Sequence, residues 1–251
     1  MYGILGDNTT EDKHTPVQVL GPEGIGFLTN IKSISGGEFH SLALKEDGTV
    51  WAWGYNWHGQ LGDGNSNIGA HSKTPTQVLG PEGIGFLTDI EVISAAYKAS
   101  FALKEDGSLW AWGGSGHSGQ FGDGITYSTT RTTPIRVGGS DPDYLHGIKD
   151  ISANSYNHSL ALIEDGTAWA WGSNIYGQVG DGTTEDRYLP VQVLNETGFL
   201  KGVKDVSIGA FHSIVAKEDG TVWAWGYNAG GRIGDGTEIN RHTPVQVKGL
   251  D

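Results

Sequence analysis

The sequence predicts an all-β protein built from repeated four-stranded units. Its most regular feature is a Glu-Asp-Gly triplet followed by a Trp-x-Trp pair, and the triplets stand at 46–48, 105–107, 164–166 and 218–220. The steps between them are 59, 59 and 54 residues. Glycine accounts for 41 of 251 residues, and no segment keeps a 3.6-residue apolar period over several turns. A spacing of 54 to 59 residues between equivalent motifs is typical of repeat architectures, in which each unit buries an apolar face against its neighbour.

Each unit opens with two strand candidates that flank a short turn. The first strands alternate and contain β-branched residues, at 31–35, 90–94, 148–152 and 203–207. The second strands are apolar, at 41–44, 101–103, 160–162 and 214–216. Glu-Asp-Gly follows each second strand, and glycine supplies a positive φ near the end of a hairpin turn. We therefore expect four hairpins that turn at these triplets.

The third strand of each unit carries the tryptophan pair. Residues two apart on a strand share one face, so both tryptophans of a pair face one side and the intervening alanine faces the other. The pairs are Trp51 and Trp53, Trp110 and Trp112, Trp169 and Trp171, and Trp223 and Trp225. A sheet that is apolar on both faces suits stacking between two other sheets. We expect one tryptophan of each pair to be buried between sheets.

A fourth strand candidate begins after a proline in five places, at 17–19, 76–78, 135–137, 191–193 and 245–247. Proline cannot donate to a ladder, so it belongs at the first residue of a strand or on an edge. This places the fourth strand outermost. Four strands from inner to outer make a β-propeller blade, and the prediction is a propeller or partial propeller of antiparallel four-stranded blades.

The repeats form a single array over residues 1–251. Residues 1–29 are a partial repeat with its connector, followed by complete repeats at 30–88, 89–147, 148–202 and 203–251. The partial repeat has an outer strand without a hairpin of its own, and the last repeat has no successor. Folded proteins rarely leave such apolar faces and strand edges open. We expect the terminal blades to pack on another copy of the chain or on further sequence of a longer propeller.

Charge and composition exclude several classes of function. The net charge is −13, from 16 Lys plus Arg against 29 Asp plus Glu. The sequence therefore lacks the basic stripe that nucleic-acid binding requires. Cysteine is absent, so disulfides contribute nothing. No apolar run approaches the roughly 18 residues of a membrane span.

Three motifs resemble the regulator of chromosome condensation repeat family over nearly the whole chain. They read Gly-Gly-x-x-His at 36–40, Ala-Leu-Lys-Glu-Asp-Gly-Thr-Val-Trp-Ala-Trp-Gly at 43–54 and Gly-Gln-Leu-Gly-Asp-Gly at 59–64. The resemblance implies a β-propeller, most often of seven blades, that serves chiefly as a protein-binding platform. The sequence departs from the family pattern at Ala99, which stands where His40, His158 and His212 stand in the other repeats. The ten-residue connector 20–29 also returns unchanged at 79–88, which indicates a recent duplication or loose sequence requirements.

Aromatic residues in variable turns are the candidate binding residues. An aromatic occurs between the first and second strands of every repeat, at Phe39, Tyr97, Tyr156 and Phe211. In relatives that inhibit β-lactamases, aromatics on the matching turns form the binding face, and the resemblance implies the same role here. Such rings present a large contact area at low rotamer cost. The alternative is that they cap the blade core. The segment after each Trp strand adds Trp57 and Tyr176 as candidates.

Metal sites and catalysis find little support in the sequence. His40, His158 and His212 could converge on a metal, but Ala99 breaks the set, and hydrogen bonds to backbone are the better explanation. The Gly-Asp-Gly turns offer oxygen ligands, but the spaced acids of a calcium loop are missing. No nucleophile motif or phosphate-binding loop is present. We predict no enzyme activity, no cofactor and no metal.

The sequence predicts a non-catalytic scaffold that binds a protein partner through one face of the propeller. Its Trp-Ala-Trp-Gly repetition resembles bacterial surface members of the family, which favours a fragment or protomer of a larger surface or secreted assembly, located outside the cell or on its surface. Two alternatives stay open. One is a regulator of a small GTPase that acts as a guanine-nucleotide exchange factor. The other is a structural protein that completes its propeller by self-association through its open terminal blades.

Overall fold

The computed structural model describes residues 2–67, 69–114, 119–127, 129–139, 141, 144–153 and 158–249. Within these ranges the chain forms four antiparallel four-stranded sheets and one two-stranded hairpin. The helical content there is limited to two three-residue 3-10 turns, Pro22–Gly24 and Pro81–Gly83. None of the described helical segments has the length and apolarity needed to cross a membrane. The predicted all-β class is confirmed.

Each four-stranded sheet is called a blade here, and its strands pair in chain order. Blade 1 contains β1 (Ile31–Gly36), β2 (His40–Lys45), β3 (Val50–Tyr55) and β4 (His71–Gln77). Blade 2 contains β5 (Ile90–Ala95), β6 (Ala99–Lys104), β7 (Leu109–Gly114) and β8 (Thr130–Arg136). Blade 3 contains β9 (Ile148–Ala153), β10 (His158–Ile163), β11 (Ala168–Gly172) and β12 (Arg187–Gln192). A hairpin of β13 (Leu194–Asn195) and β14 (Gly198–Phe199) precedes blade 4, which contains β15 (Val203–Ile208), β16 (His212–Lys217), β17 (Val222–Gly226) and β18 (Arg241–Gln246).

Contacts divide the chain into two compact units, each with its own core. Unit 1 comprises Met1–Ser115 and Ser128–Arg136 and holds blades 1 and 2, while unit 2 comprises Gly116–Tyr127 and Val137–Asp251 and holds blades 3 and 4. In unit 1 the core joins residues of blade 1, such as Leu42 and Leu44, to residues of blade 2, such as Ile93 and Trp112. The core of unit 2 joins the equivalent residues Leu160, Leu162, Val206 and Trp225. Apolar stacking of neighbouring blades thus holds each unit together.

The four hairpins turn where the sequence predicts. In blade 1, Ala43 lies opposite Trp51 and Leu42 opposite Ala52, and Gly48 in the turn has a φ of +75°. The Asp47 carboxylate closes the turn, because it accepts hydrogen bonds from the Thr49 amide at 3.1 Å and from the Thr49 hydroxyl at 2.6 Å. The same Asp–Thr bonds recur in blades 3 and 4.

The second tryptophan of each pair is the buried one. Trp112, Trp171 and Trp225 are 0% exposed and Trp53 is 5% exposed, while the first tryptophan of each pair is half-buried. Each buried indole donates its Nε1–H to a backbone carbonyl outside its own blade. For Trp112 this acceptor is the Gln60 carbonyl oxygen at 2.9 Å, and for Trp53 it is the Ile4 carbonyl oxygen at 2.9 Å. The burial predicted for one tryptophan of each pair is confirmed, and Trp112 and Trp225 are buried between two blades.

The outer strands correct one expectation, because proline does not begin them. Pro75 lies inside β4, and Pro134, Pro190 and Pro244 lie inside the other outer strands. Along β3 and β4, Ala52 pairs with Thr76 but Gly54 pairs with Ser72, so the register shifts between these two pairs. Pro75 lies within that irregularity on an edge strand, where its missing N–H does not interrupt a regular ladder.

Residues 17–19 correct a second expectation, because they do not form a strand. The outer strands pair with a Trp strand, as Gln77 does with Trp51, and residues 2–29 contain no Trp strand. The segment is instead held by turn contacts. The Leu28 amide donates to the Val19 carbonyl at 3.1 Å, and the Leu20 amide donates to the Gly6 carbonyl at 2.9 Å. Without a partner strand, the proline-led segment stays an extended connector.

Candidate functional site

The candidate site consists of partly exposed aromatic rings next to the strand ends. In unit 1, Tyr2, Phe39, Tyr55, Trp57 and Tyr97 form the first aromatic cluster. The Tyr55 ring lies 4.8 Å from Tyr2, 5.9 Å from Phe39 and 5.4 Å from Trp57, measured between ring centroids. Phe39 continues the cluster to Tyr97 at 5.9 Å. Trp57 is 40% exposed, and the other four side chains are half-buried.

Unit 2 contains a second aromatic cluster with the same construction, formed by Tyr176, Phe211 and Tyr227. The Tyr176 ring lies 4.6 Å from Tyr227 and 5.4 Å from Phe211, and the last two rings are 6.1 Å apart. All three side chains are half-buried. Edge-to-face and tilted pairs at these distances are favourable arrangements of aromatic rings.

The two clusters are alike because the same repeat positions build them. Tyr2 and Tyr176 both precede a Gly-x-x-Gly-Asp segment, Phe39 and Phe211 lie on the turn between the first two strands, and Tyr55 and Tyr227 follow Trp-Gly. In each cluster, a backbone hydrogen bond joins the tyrosine that follows Trp-Gly to the phenylalanine on the turn. The Tyr55 amide donates to the Phe39 carbonyl at 2.8 Å, and the Tyr227 amide donates to the Phe211 carbonyl at 2.9 Å.

Glycine is required beside this backbone bond. Gly54 has a φ of +103°, and a Cβ at this position would lie 2.6 Å from the Phe39 carbonyl oxygen. Gly226 repeats the arrangement in blade 4, with a φ of +104° and the Phe211 carbonyl oxygen 2.6 Å from an added Cβ. The last residue of each Trp-Ala-Trp-Gly sequence therefore lets the chain pass close enough for the rings to meet.

A cation lies over one ring of each cluster. Lys98 Nζ stands 5.0 Å from the centroid of Tyr97, and the guanidinium carbon of Arg232 stands 4.8 Å from the centroid of Tyr227. A cation at this distance is attracted to the face of an aromatic ring. Each cluster thus combines apolar ring area with one positive charge, in a chain whose net charge is −13.

The structure unites several of the residues that the sequence singles out. Phe39, Tyr97 and Trp57 lie in the first cluster, and Tyr176 and Phe211 lie in the second. Tyr156 falls outside the described residues. A binding role for these side chains stays a prediction.

Tyr2, Tyr55 and Tyr227 are cluster members that the sequence analysis missed. The repeat alignment could have identified them. Tyr2 occupies the repeat position of Tyr176, and Tyr55 and Tyr227 occupy one shared position after the Trp strand.

Two of the three repeat-position histidines, His40 and His158, form hydrogen bonds to the neighbouring blade. His40 Nε2 lies 2.9 Å from the Ser100 hydroxyl, which itself donates to the Gln60 carbonyl at 2.8 Å. His158 makes the same bond to Ser213 at 3.2 Å. Backbone partners were expected for these histidines, whereas these two contacts go to serine side chains. Among the described residues, no group of three or more His, Cys, Asp or Glu side chains could hold a metal ion.

This bonding pattern places a proton on Nε2 of His40. The single Ser100 hydroxyl proton goes to Gln60, so His40 Nε2 must carry a proton and donate to the Ser100 oxygen. Nδ1 is buried without a hydrogen-bond partner. Burial lowers the pKa of His40 to about 4, and burial together with the nearby His212 lowers the pKa of His158 to about 3.

In the Gly-Asp-Gly loops of blades 1, 3 and 4, a buried asparagine side chain donates to the loop aspartate. Asn228 is fully buried, and its side-chain amide donates to Asp235 Oδ1 at 3.2 Å and to the Ile239 carbonyl at 3.0 Å. Arg241 Nε donates to the other oxygen of Asp235 at 2.6 Å. Burial alone would raise the pKa of Asp235, but hydrogen bonds from Thr237 and Arg241 hold it well below its usual value. The aspartate oxygens are thus engaged within the protein.

Comparison with known proteins defines the family. A model described as the RCC1-like domain matches residues 1–251, which is the whole chain. The chain belongs to the RCC1-like family. Its four-stranded sheets are accordingly blades of an RCC1-type β-propeller array, as the sequence predicts.

Named relatives cover the chain almost completely. The ultraviolet-B receptor UVR8 of Arabidopsis thaliana is 30% identical over 248 residues, which is 98% of this chain and 52% of UVR8. The human E3 ubiquitin-protein ligase HERC2 is 31% identical over 251 residues, which is 99% of this chain and 5% of HERC2.

Solved structures show the same fold. Prp20p of Saccharomyces cerevisiae has a TM-score of 0.70 at 25% identity, covering 88% of this chain and 51% of Prp20p. Human WBSCR16 has a TM-score of 0.76 at 22% identity, covering 99% of this chain and 61% of WBSCR16. At this identity the similarity shows the fold alone. The chain spans about half the length of UVR8 and of Prp20p.

Proposed function

We propose that the chain is a non-catalytic scaffold that binds a protein partner through its two aromatic clusters. The observation that carries the proposal is the repetition of one cluster design in both units, with partly exposed rings and one adjacent cation each. Aromatic rings and arginine are the side chains that most often dominate the binding energy of protein interfaces.

The family relationship supports a protein partner. Prp20p was described together with its binding to Gsp1p and histones, and a further structure contains Prp20 bound to Kap60. Both structures concern one relative, and in each its partners are proteins. We propose that this chain also binds a protein, with specificity in the turns that carry Phe39, Tyr97, Trp57, Tyr176 and Phe211.

A photo-crosslinking experiment tests the proposal. A photoreactive phenylalanine analogue would be introduced at Trp57, which lies in the first cluster, and separately at Tyr127, which is 67% exposed and belongs to neither cluster. Irradiation in cells of the source organism, followed by mass spectrometry, should identify one protein captured from position 57 and not from position 127. Equal capture at both positions, or none at either, would refute the assigned surface.

The captured protein would then be measured against alanine variants. Trp57→Ala should weaken its binding by roughly tenfold or more, as truncation of an anchoring aromatic does, while Tyr127→Ala should change it less than about twofold. Far-UV circular dichroism would verify that both variants keep the fold. If the rings only cap the blade core, alanine at Phe39 would lower stability while the captured partner bound Trp57→Ala normally.

A further inference from the structure

An open groove runs along the outer side of blade 4. It has a volume of about 480 Å³, and its lining includes Trp223 of β17, Pro244 and Val245 of β18, and Asn195 and Thr197 of the preceding hairpin. Pockets of this size are typical of sites that take a small ligand or an anchoring side chain. The groove shares no residue with either aromatic cluster.

The corresponding place in blade 3 is filled by a tyrosine of the chain itself. The ring of Tyr144 meets Trp169 edge-on, with centroids 6.3 Å apart and planes at 72°. Its hydroxyl donates to the Pro190 carbonyl at 2.9 Å. Burial raises the pKa of Tyr144, so the phenol remains a hydrogen-bond donor at neutral pH.

The strand pairs of the two places are equivalent, although Lys217 Nζ lies 5.6 Å from the centroid of the Trp223 ring where blade 3 has Ile163 at the matching position. Trp169 pairs with Gln192 as Trp223 pairs with Gln246, and Ala170 pairs with Val191 as Ala224 pairs with Val245. Pro190 and Pro244 directly precede these valines. Blade 4 therefore presents the same tryptophan edge and the same proline carbonyl that hold Tyr144 in blade 3.

The connectors explain why only one of these two grooves is filled. The connector before blade 3 carries Tyr144 onto Trp169. The connector before blade 4 forms the hairpin of β13 and β14, whose turn residues Glu196 and Thr197 are small or polar. This hairpin borders the groove without placing a ring over Trp223.

We propose that the blade 4 groove binds a tyrosine side chain of a partner polypeptide. The ring packs against Trp223, and the hydroxyl donates to the Pro244 carbonyl, as Tyr144 does at Pro190. The tryptophan supplies aromatic contact and the carbonyl supplies selectivity, because phenylalanine fills the ring position but leaves the acceptor unused. Trp223 is half-buried and its own Nε1 donates to Thr221 Oγ1 at 2.9 Å, so its ring is held in place before the ligand arrives.

Titration with single amino-acid derivatives tests this site on the intact chain. N-acetyl-L-tyrosinamide would be added while the indole N–H signals of the nitrogen-15-labelled protein are followed by NMR, with Trp223 and Trp169 assigned through phenylalanine variants. We expect a saturable shift of the Trp223 signal and no change at Trp169. N-acetyl-L-phenylalaninamide should bind roughly fivefold more weakly, the value of one neutral hydrogen bond. N-acetyl-L-leucinamide should give no saturable shift.

Matched variants separate this site from general surface binding. Tyr144→Ala empties the blade 3 groove, so tyrosinamide should then shift Trp169 as well as Trp223. Trp223→Leu should weaken binding roughly tenfold, measured by saturation transfer to the ligand, whereas Trp110→Leu at the equivalent position of blade 2 should leave it unchanged. Absence of a Trp223 shift, or equal affinity for tyrosine and phenylalanine derivatives, would overturn the proposal. The wild-type titration decides the matter even if a variant fails to fold.

Discussion

At the scale of single residues, one carbonyl oxygen links two blades. The Gln60 carbonyl accepts the Trp112 indole N–H at 2.9 Å and the Ser100 hydroxyl at 2.8 Å. His40 donates to the same serine, so the chain of hydrogen bonds runs from β2 of blade 1 to Ser100 of blade 2 and back to the β3–β4 loop of blade 1. The whole arrangement depends on a neutral imidazole, because protonated Nδ1 would carry a buried N–H with no acceptor.

This neutral imidazole predicts that acid destabilises the protein. The pKa of His40 is about 4 in the fold against 6.5 when unfolded, so between these pH values the unfolded chain binds more protons than the folded chain. The free energy of unfolding therefore falls as the pH drops through this window, by about 3 kcal/mol for His40 at its lower end. Urea unfolding midpoints measured from pH 7 to pH 4 give the slope of stability against pH.

His40→Gln is the matched variant, because glutamine keeps an N–H donor and does not titrate. We expect a shallower pH dependence of its urea midpoint than in the wild-type protein, whatever its stability at pH 7. Parallel slopes would show that His40 is not the group responsible.

At the scale of the strand, the two tryptophans of a pair have different tasks. Trp112 is completely buried within the core between blades 1 and 2, and its indole N–H bonds to the Gln60 carbonyl. Trp110, two residues earlier, is half-buried, and its indole N–H bonds to Ser108 in the adjacent turn at 3.0 Å. The first tryptophan thus steadies its own hairpin, while the second joins two blades.

Alanine substitutions should separate these tasks. Trp112→Ala should lower the free energy of unfolding by about 3–5 kcal/mol, because it leaves a large cavity and removes a donor from a buried carbonyl. Trp110→Ala should cost clearly less, about 1–2 kcal/mol, because part of its ring already faces solvent. Chemical denaturation of both variants measures the difference. Equal losses in the free energy of unfolding for the two variants would contradict these separate roles.

At the scale of the whole chain, blade 1 has an exposed apolar position on its first strand. Ile34 of β1 is 76% exposed, whereas the equivalent Ile93, Ile151 and Val206 are 8%, 5% and 6% exposed. Residues 2–29 cover part of the blade 1 face that carries Ile34, since Trp53 donates to the Ile4 carbonyl and Leu28 and Val19 border the same hollow of about 350 Å³. Exposed apolar patches of this kind mark sites of association.

We expect this face to drive concentration-dependent self-association of the isolated chain. Ile34→Lys should shift the chain towards monomer, because a charge on the face opposes its burial, and it should change stability by less than about 0.5 kcal/mol. Ile93→Lys is the contrasting variant and should unfold unit 1. Sedimentation velocity at several concentrations measures the first effect. A wild-type chain that stays monomeric at all of them would contradict the expectation.

Local sequence was sufficient for the first three strands of each repeat, the hairpins and the family. Each Glu-Asp-Gly turn is closed by bonds within a few residues, such as those between Asp47 and Thr49, so short-range chemistry fixes it. Alternating apolar residues likewise fix which strand faces pack together. The aromatic candidates Phe39, Tyr97, Tyr176 and Phe211 were visible because the repeat frame made variable positions stand out.

Only the tertiary structure decided which of these groups meet. The sequence could not choose between Trp110 and Trp112, assign Ser100 as the partner of His40, or show that Tyr144 fills a groove that blade 4 leaves open. It also misplaced the outer strands, because the register shift opposite Gly54 depends on pairing with β3. These features arise between segments about 20 to 60 residues apart, where the packing of one blade on the next, and not local preference, fixes the geometry.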